Sequence, residues 1–438
     1  MDGARVGALR QEVDARRPGY HVAQALDIPD ATPHLFSHMS SVNQSATPAL
    51  LREAQAGNAR FFVQFGGQGN SCMREMTSLY TNFPELERYF ETCFTAIHDF
   101  TNRPDVKEQG VELFSQGFEL KRWLSTGEMP DLDYTNRCCI SFVANQIVQL
   151  GYLHLVNERG FSTKEMFKYT AGVAGHSQGL QAAATSALAL EGDAFLQSVY
   201  DFVVWFGIAG FHIQYHYGFP TVREDLVAWS LEHDGDKPTQ MAVTDKITEA
   251  ELTECVDEFN RKYPQDFPVR ISMVNTETVL VVTGHAESLV QFRQEYLKLF
   301  QENGYTWNYL PVSAPFHRPD FEMCIGSISH FTNDEVAVNF KYKPSDLVVP
   351  VYSFYDGSNL QEHEDLSFAL SHTMLFRELY WSKAIAPMIG DDSITHVIDF
   401  GPGKISALLT RGHLKGKSGG PEVLSVVGKA GLRKMTEG

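Results

Sequence analysis

Gly175-His176-Ser177-Gln178-Gly179 fits the G-x-S-x-G pattern, in which a serine stands at a sharp turn between a strand and a helix. The short run Tyr169–Ala174 before it predicts a buried strand, and the alanine-rich run Leu180–Leu190 after it predicts a helix. In such a turn the hydroxyl projects into open space, and the N–H groups that begin the helix face whatever bonds to it. The pattern predicts a nucleophilic serine; an ordinary turn with a solvent-facing serine is the alternative.

The chain on either side of this turn alternates strands and helices. Phe61–Phe65 predicts a strand that ends in Gly66-Gly67-Gln68-Gly69, and helices are predicted over Cys138–Glu158 and Asp193–Ala209. This order predicts a mostly parallel sheet covered by helices, a hydrolase-like large subdomain of the α/β class formed by residues 59–222 and 311–438. Residues 1–58 have mixed charge and little periodicity, which predicts an N-terminal extension or linker.

Residues 223–310 have a different pattern. Strands are predicted at 241–243, 269–274, 279–282 and 306–310, and helices at 249–263 and 287–301. The order β-α-β-β-α-β is that of a ferredoxin-like unit. We therefore expect a small ferredoxin-like subdomain inserted into the large one.

Composition excludes several classes of protein. The 438 residues have a formal net charge of −18, which argues against non-specific nucleic-acid binding. Six cysteines without a C-x-x-C pair indicate a reducing, cytoplasmic setting. The longest apolar stretch, Phe202–Ile213, is shorter than the roughly 20 residues that span a bilayer, so no membrane partner is predicted. His212 and His216 have a zinc-compatible spacing, but no third ligand lies nearby, and no metal is predicted.

A serine nucleophile needs a base, and the chain has 16 histidines from which to choose it. His317 ends the stretch Ser313-Ala314-Pro315-Phe316-His317, directly after the inserted unit. Pro315 disfavours helix before the histidine and leaves it at a loop, where it can face a cleft. A structural histidine is the alternative at this position.

Four motifs in one order resemble a known family. They are Gly66-Gly67-Gln68-Gly69, Gly175-His176-Ser177-Gln178-Gly179, Ser313-Ala314-Pro315-Phe316-His317 and Asp399-Phe400-Gly401-Pro402-Gly403. Together they resemble the acyl-CoA:acyl-carrier-protein transacylases of fatty acid and polyketide synthases. The form of the motifs is most similar to the acetyltransferase domain of fungal-type fatty acid synthase beta subunits. The resemblance covers residues 60–430.

The resemblance implies a role for each matched residue. Ser177 would be the acylated nucleophile and His317 its general base, a Ser-His dyad without a carboxylate. The backbone N–H groups of Gln68 and Gln178 would form the oxyanion hole. A backbone carbonyl near Arg377 would orient the histidine.

Further implied positions concern the acyl group. His176 and Asn275 would lie at the acyl pocket. Malonyl-specific members carry an Arg-Gly pair where this chain has Phe206-Gly207. A phenyl ring cannot pair with the carboxylate of malonate, so we expect an uncharged acyl group, acetyl or a longer or branched chain. Core packing of Phe206 is the alternative.

The expected partners are acyl-CoA as substrate and a phosphopantetheinylated acyl carrier protein, with no tightly bound cofactor. Carrier proteins are acidic, so contact needs a basic surface, and Lys404, Arg411 and Lys415 are the candidates for it. A solvated surface is the alternative. Competing functions are an acyl hydrolase on the same scaffold, a catalytically idle docking domain and a conventional α/β-hydrolase. The last is disfavoured because further strands follow His317.

Overall fold

The computed structural model describes residues 47–68, 72–326 and 340–437. Ten strands lie within these ranges: β1 Phe61–Phe65, β2 Thr170–Gly175, β3 Met241–Thr244, β4 Arg270–Val274, β5 Leu280–Thr283, β6 Asn308–Tyr309, β7 Val351–Tyr352, β8 Leu379–Tyr380, β9 His396–Asp399 and β10 Glu422–Ser425. The α-helices of the same ranges are Ala49–Gln55, Met73–Asn82, Glu87–Thr101, Pro104–Gln109, Leu120–Thr126, Leu132–Thr135, Cys138–Glu158, Thr163–Lys168, Gly179–Ala187, Gly192–Tyr217, Glu224–His233, Glu249–Lys262, Ala286–Asn303, Glu322–Ile325, Leu366–Phe376, Trp381–Ile389, Ile405–Leu414 and Lys429–Thr436.

The large subdomain contains a parallel sheet with strand order β10-β9-β1-β2-β7. All five residues of β1 are buried, as expected for a parallel strand covered on both faces. Phe65 pairs with Gly175, and Gln64 pairs with Asp399. Because these strands are parallel, three of the four motifs leave the sheet at the same carboxyl edge, where α/β proteins bind their ligands.

Two long helices pack inside the large subdomain. Cys138–Glu158 and Gly192–Tyr217 are long and apolar enough to cross a membrane by length and composition, yet 100% and 67% of their most apolar windows are buried within the protein. Both therefore serve as core helices here. The second one is longer than the sequence predicts, because its apolar residues continue in helix as far as Tyr217.

The small subdomain contains a second sheet with strand order β6-β3-β5-β4-β8. Pairs among β3, β4, β5 and β6 are antiparallel, which matches the ferredoxin-like prediction, whereas β8 adds in parallel beside β4. The helices Glu249–Lys262 and Ala286–Asn303 supply Phe259, Leu289 and Phe292 to its separate core. The predicted fold class, α/β with a mostly parallel main sheet, is confirmed.

Two details of the predicted organisation are wrong. Residues 47–58 are not an extension, because Leu50, Leu51 and Ala54 of the helix Ala49–Gln55 are buried in the core of the large subdomain. Residues 1–46 lie outside the described ranges. The small sheet is not built from residues 223–310 alone, because Leu379–Tyr380 forms strand β8 beside β4.

Candidate active site

The turn that carries Ser177 is as sharp as its sequence predicts. Ser177 has φ 53°, in the left-handed region that side chains rarely adopt. A Cβ on Gly175 would lie 2.1 Å from the Gly179 carbonyl carbon, and one on Gly179 would lie 2.5 Å from the Phe65 carbonyl oxygen. Only glycine fits at either position. The strand and helix therefore approach closely enough to present the serine at the sheet edge.

Ser177 and His317, which are 140 residues apart in sequence, meet in the structure. Ser177 Oγ lies 2.7 Å from His317 Nε2, and His317 Nδ1 lies 3.1 Å from the carbonyl oxygen of Arg377. A carbonyl can only accept a hydrogen bond, so Nδ1 carries the proton and donates the hydrogen bond to the Arg377 carbonyl. Nε2 is then the acceptor of the serine hydroxyl proton, which is the arrangement that general-base catalysis requires.

The imidazole of His317 is neutral in this environment. Complete burial lowers its pKa to about 3, against the opposing effect of the hydrogen bond to Arg377. The nearest acid in sequence does not contact it. Asp320 instead accepts hydrogen bonds from Arg318, at 2.6 Å, and from Arg270, at 3.1 Å. The partner of Nδ1 is thus a backbone carbonyl, not a carboxylate.

The two glutamines proposed for the oxyanion hole are both attached to the core helix Cys138–Glu158. Gln68 Nε2 donates to Ser141 Oγ at 3.0 Å, and Gln178 Oε1 accepts from Asn145 Nδ2 at 2.6 Å. Within residues 47–68, 72–326 and 340–437, no backbone carbonyl accepts from the N–H of Gln68 or Gln178. Gly69, the last residue of the first motif, lies outside the described ranges.

The fourth motif supports the first one. Asp399 accepts from Gln64 Nε2 at 2.6 Å and from Ser406 Oγ at 2.5 Å, and burial raises its pKa to about 6. The carbonyl of Gly401 accepts from Gly66 N–H at 2.7 Å. The Asp399-to-Gly403 loop therefore fixes the backbone that leads into Gln68.

His176 and Asn275, predicted at the acyl pocket, contact each other. His176 Nε2 donates to Asn275 Oδ1 at 2.7 Å, and the Asn275 carbonyl accepts from His413 Nε2 at 2.8 Å. Burial lowers the pKa of His176, so its ring is neutral. These two hydrogen bonds, from His176 to Asn275 and from His413 to Asn275, join the turn that carries Ser177, the small subdomain and the helix Ile405–Leu414.

Phe206 lies in a stack of aromatic rings. Its ring centroid is 4.7 Å from that of Phe142, which in turn lies 5.5 Å from that of Phe316, the residue before His317. Phe206 is 1% exposed and also stacks on Trp205 at 6.0 Å. It is therefore packed in the core and is connected through two further rings to the histidine loop.

The three basic candidates lie along and beside one helix. Lys404, Arg411 and Lys415 are all exposed at the ends and along the face of the helix Ile405–Leu414. Lys404 directly precedes this helix, Arg411 lies in its last turn, and Lys415 directly follows it. Arg411 also donates to the Val423 carbonyl at 2.7 Å.

Several residues that shape the site have no signal in the sequence. Gln214, which is buried, accepts from Ser313 Oγ at 2.6 Å and from Cys138 N–H at 3.0 Å, and so fixes the start of the histidine loop. Asn145 holds Gln178, and Arg318 follows His317. Polar residues on apolar helices mark such positions only after the fold is known. Among the described residues, no group of three or more His, Cys, Asp or Glu could hold a metal ion.

A model of the family described as starter unit:ACP transacylase in aflatoxin biosynthesis matches residues 63–317, the segment from β1 to the histidine. The chain belongs to this family. The resemblance drawn from the four motifs is thereby confirmed.

Similar curated proteins are large fungal synthases. The fatty acid synthase subunit beta of Saccharomyces cerevisiae is 26% identical over 391 residues, which cover 84% of this chain and 18% of that subunit. Fatty acid synthase 2 of Mycosarcoma maydis is 27% identical over 408 residues, covering 87% of this chain and 11% of that protein. The chain thus spans less than a fifth of the length of either relative.

Solved structures share the fold at low identity. A malonyl-transacylase in complex with its type II polyketide synthase acyl-carrier protein has a TM-score of 0.59 at 16% identity, covering 86% of this chain and 99% of that one. The malonyl CoA-acyl carrier protein transacylase of Clostridium perfringens has a TM-score of 0.57 at 17% identity, covering 86% and 96%. The acyltransferase domain of the salinomycin polyketide synthase has a TM-score of 0.56 at 18% identity, covering 87% and 75%.

Proposed function

We propose that this acyltransferase moves an uncharged acyl group from CoA to Ser177 and then to the phosphopantetheine thiol of an acyl carrier protein. The observation that carries the proposal is the contact of 2.7 Å between Ser177 Oγ and His317 Nε2, with Nδ1 held by the Arg377 carbonyl. These atoms form the nucleophile and base of a Ser-His dyad.

The first half-reaction acylates the serine. His317 Nε2 takes the hydroxyl proton as Oγ attacks the thioester carbonyl, and the carbonyl oxygen becomes negative. The N–H groups of Gln68 and Gln178 bind that oxygen, helped by the N-terminus of the helix Gly179–Ala187. The intermediate then expels the CoA sulfur, which takes the proton from His317.

The second half-reaction repeats these steps with a different thiol. The phosphopantetheine thiol gives its proton to neutral His317 and attacks the acyl-serine ester. Collapse of the second intermediate returns the proton to Ser177 and leaves the acyl group as a thioester on the carrier. Since burial disfavours a charged imidazole, the Arg377 carbonyl is the group that stabilises it while it carries the second proton.

The choice of an uncharged acyl group rests on Phe206 and its neighbours. Phe142, Phe206 and Phe316 form an apolar stack, and none of them can pair with a carboxylate. Burying the charge of malonate beside these rings without a partner costs several kcal/mol. Acetyl and longer or branched acyl groups carry no such cost.

The proposed partners follow from the surface and from the relatives. The exposed Lys404, Arg411 and Lys415 offer positive charge to an acidic carrier protein or to the phosphates of CoA. A structural neighbour of this chain is a transacylase in complex with its carrier protein. All six cysteines are free thiols, which supports a reducing, cytoplasmic location, and we propose no tightly bound cofactor. The matched family and relatives are transacylases and synthases, so they give no support to the hydrolase alternative.

Mass spectrometry of the intact protein after incubation with acetyl-CoA tests the proposal. We expect an acetyl adduct that the Ser177→Ala variant lacks. The control is Ser186→Ala, because Ser186 lies on the helix Gly179–Ala187 that follows Ser177 and donates to the Ala183 carbonyl. Adding a phosphopantetheinylated carrier protein should move the acetyl group to the carrier. Rapid release of free acetate with and without carrier would exclude the transferase.

A further inference from the structure

Arg318, the residue after His317, has a fully buried guanidinium. Its side chain is 0% exposed and donates to both carboxylate oxygens of Asp320, at 2.6 and 2.7 Å. It also donates to the carbonyls of Pro268, at 2.7 Å, and Thr283, at 3.3 Å. A buried cation with four acceptor contacts is held in one orientation.

The contacts of Arg318 reach across to the small subdomain. Thr283 is the last residue of β5, and Pro268 lies two residues before β4. The guanidinium carbon lies 3.4 Å from the centroid of the Phe267 ring. Arg318 therefore connects the histidine loop to the edge of the small sheet, through main-chain atoms that side-chain substitutions there would not remove.

A second residue of the small sheet closes the contact. Arg270, the first residue of β4, donates from Nε to Asp320 Oδ2 at 3.1 Å. Asp320 is thus shared between Arg318, beside the histidine, and Arg270, on the small sheet. Asp320, the acid nearest to His317 in sequence, therefore links the histidine loop to the small sheet.

His317 itself needs external support. Its φ of 62° is in the left-handed region, which a residue keeps only when its surroundings enforce it. On the large-subdomain side, the N–H groups of His317 and Arg318 both donate to the Leu375 carbonyl, at 3.0 and 3.3 Å. On the small-subdomain side, the contacts of the Arg318 side chain fix the same loop.

We propose that Arg318 is a positioning residue that keeps His317 Nε2 within reach of Ser177 by linking the histidine loop to the small subdomain. This inference rests on the proposed Ser-His chemistry. The planar fork of arginine satisfies several acceptors at once and stacks on a ring, whereas the ammonium of lysine does neither in the same way. The role is therefore specific to arginine.

The test compares Arg318→Met with a matched buried arginine. Arg293 donates to Asp234 at 2.9 Å within the small subdomain and lies over the Phe300 ring at 5.1 Å, so Arg293→Met removes a similar buried ion pair away from the nucleophile. We expect Arg318→Met to lower kcat for acetyl transfer about 100-fold with little change in KM, since a small displacement of a catalytic group has that effect.

If Arg318→Met does not fold, the same comparison is made with Arg318→Lys and Asp320→Asn. Both should fold, and both should lower kcat more than Arg293→Met does. Equal kcat in these variants and in Arg293→Met would overturn the positioning role. A wild-type protein that forms no acyl-serine would instead overturn the proposed function, so the two failures are distinguishable.

Discussion

At the scale of single residues, the two side chains of the proposed dyad, Ser177 and His317, share an unusual backbone conformation. Four non-glycine residues of the described ranges have positive φ, and Ser177 and His317 are two of them. Close packing at Gly175 and Gly179 fixes the backbone around Ser177. His317 is fixed by hydrogen bonds to the carbonyls of Leu375 and Arg377. The geometry of the proposed dyad is thus set by the protein without substrate, and such preorganisation is a main source of catalytic rate.

Phe206→Arg tests the selection of the acyl group. A guanidinium at this position would pair with the carboxylate of malonate, so we expect the ratio of malonyl to acetyl transfer to rise about tenfold or more. The measurement is kcat/KM for both acyl-CoA substrates. Thermal unfolding must accompany it, because Phe206 is packed against Phe142 and Trp205.

Phe206→Met is the control for that substitution. It changes the packing without adding charge, and we expect the malonyl-to-acetyl ratio to stay as in the wild type. A folded Phe206→Arg variant with no gain for malonyl would show that Phe206 serves core packing alone.

The limits of prediction are also visible residue by residue. Ser177 was predictable because a G-x-S-x-G turn between strand and helix constrains local geometry. His317 needed the resemblance to select it among 16 histidines, since its contact with Ser177 is long-range. The contacts of Asn145 and Gln214, and those of Arg318 with the small subdomain, were not predictable, because these partners lie 33 to 99 residues away in sequence.

At the scale of elements, two helices support the site in different ways. Cys138–Glu158 is buried almost throughout, and its polar residues Ser141, Asn145 and Gln149 point to Gln68, Gln178 and Gly66. The sequence predicted this helix, and the three polar residues recur every four positions along it, but that spacing does not identify their partners. Strand β8, Leu379–Tyr380, could not be predicted, because a strand of two residues is too short to give a sequence pattern.

The helix Ile405–Leu414 presents the candidate carrier surface. The double variant Lys404→Glu/Lys415→Glu should raise KM for an acidic carrier protein several-fold, with a weaker salt dependence, and should leave self-acylation by acetyl-CoA unchanged. Arg411 is kept, because it donates to the Val423 carbonyl. The measurement is transfer rate against carrier concentration at two ionic strengths.

Lys107→Glu/Lys164→Glu is the matched control. Both lysines are exposed on other helices, and the change in net charge is the same. We expect it to leave KM for the carrier near the wild-type value. A rise in KM for acetyl-CoA in the first variant would assign the surface to the CoA phosphates, and no change in either KM would reject it as a binding surface.

At the scale of the whole molecule, the site depends on contacts between distant segments. Two sets of contacts join the two subdomains: the hydrogen bonds from His176 through Asn275 to His413, and the contacts of Arg318. Within the large subdomain, Asp399 joins β1, β9 and the helix that follows β9. The alternation of strands and helices predicted the two subdomains. Their mode of contact could not be predicted, because it involves hydrogen bonds between residues far apart in sequence and the pairing of the short strand β8 with β4.

Glu75 places a buried carboxyl among these contacts. Its Oε1 accepts from Gly403 N–H at 2.8 Å, which joins the helix Met73–Asn82 to the fourth motif. Burial raises its pKa from 4.5 to about 7, with Asp399 adding to the shift. Below pH 4.5 the carboxyl is protonated in both the folded and the unfolded chain, and it contributes no pH dependence there.

Glu75→Gln should therefore stabilise the protein in a defined pH range. Between pH 4.5 and about 7 the unfolded carboxyl ionises first, so the wild type loses stability as the pH rises. Glutamine keeps the acceptor for Gly403 N–H without the ionisation, and its advantage should grow over this range to at most about 3 kcal/mol and then level off. Urea unfolding from pH 4.5 to 8.5 measures it, with Glu108→Gln, at an exposed helical position, as the control. A constant difference between Glu75→Gln and wild type at all pH values would show that Glu75 is ionised in the folded protein.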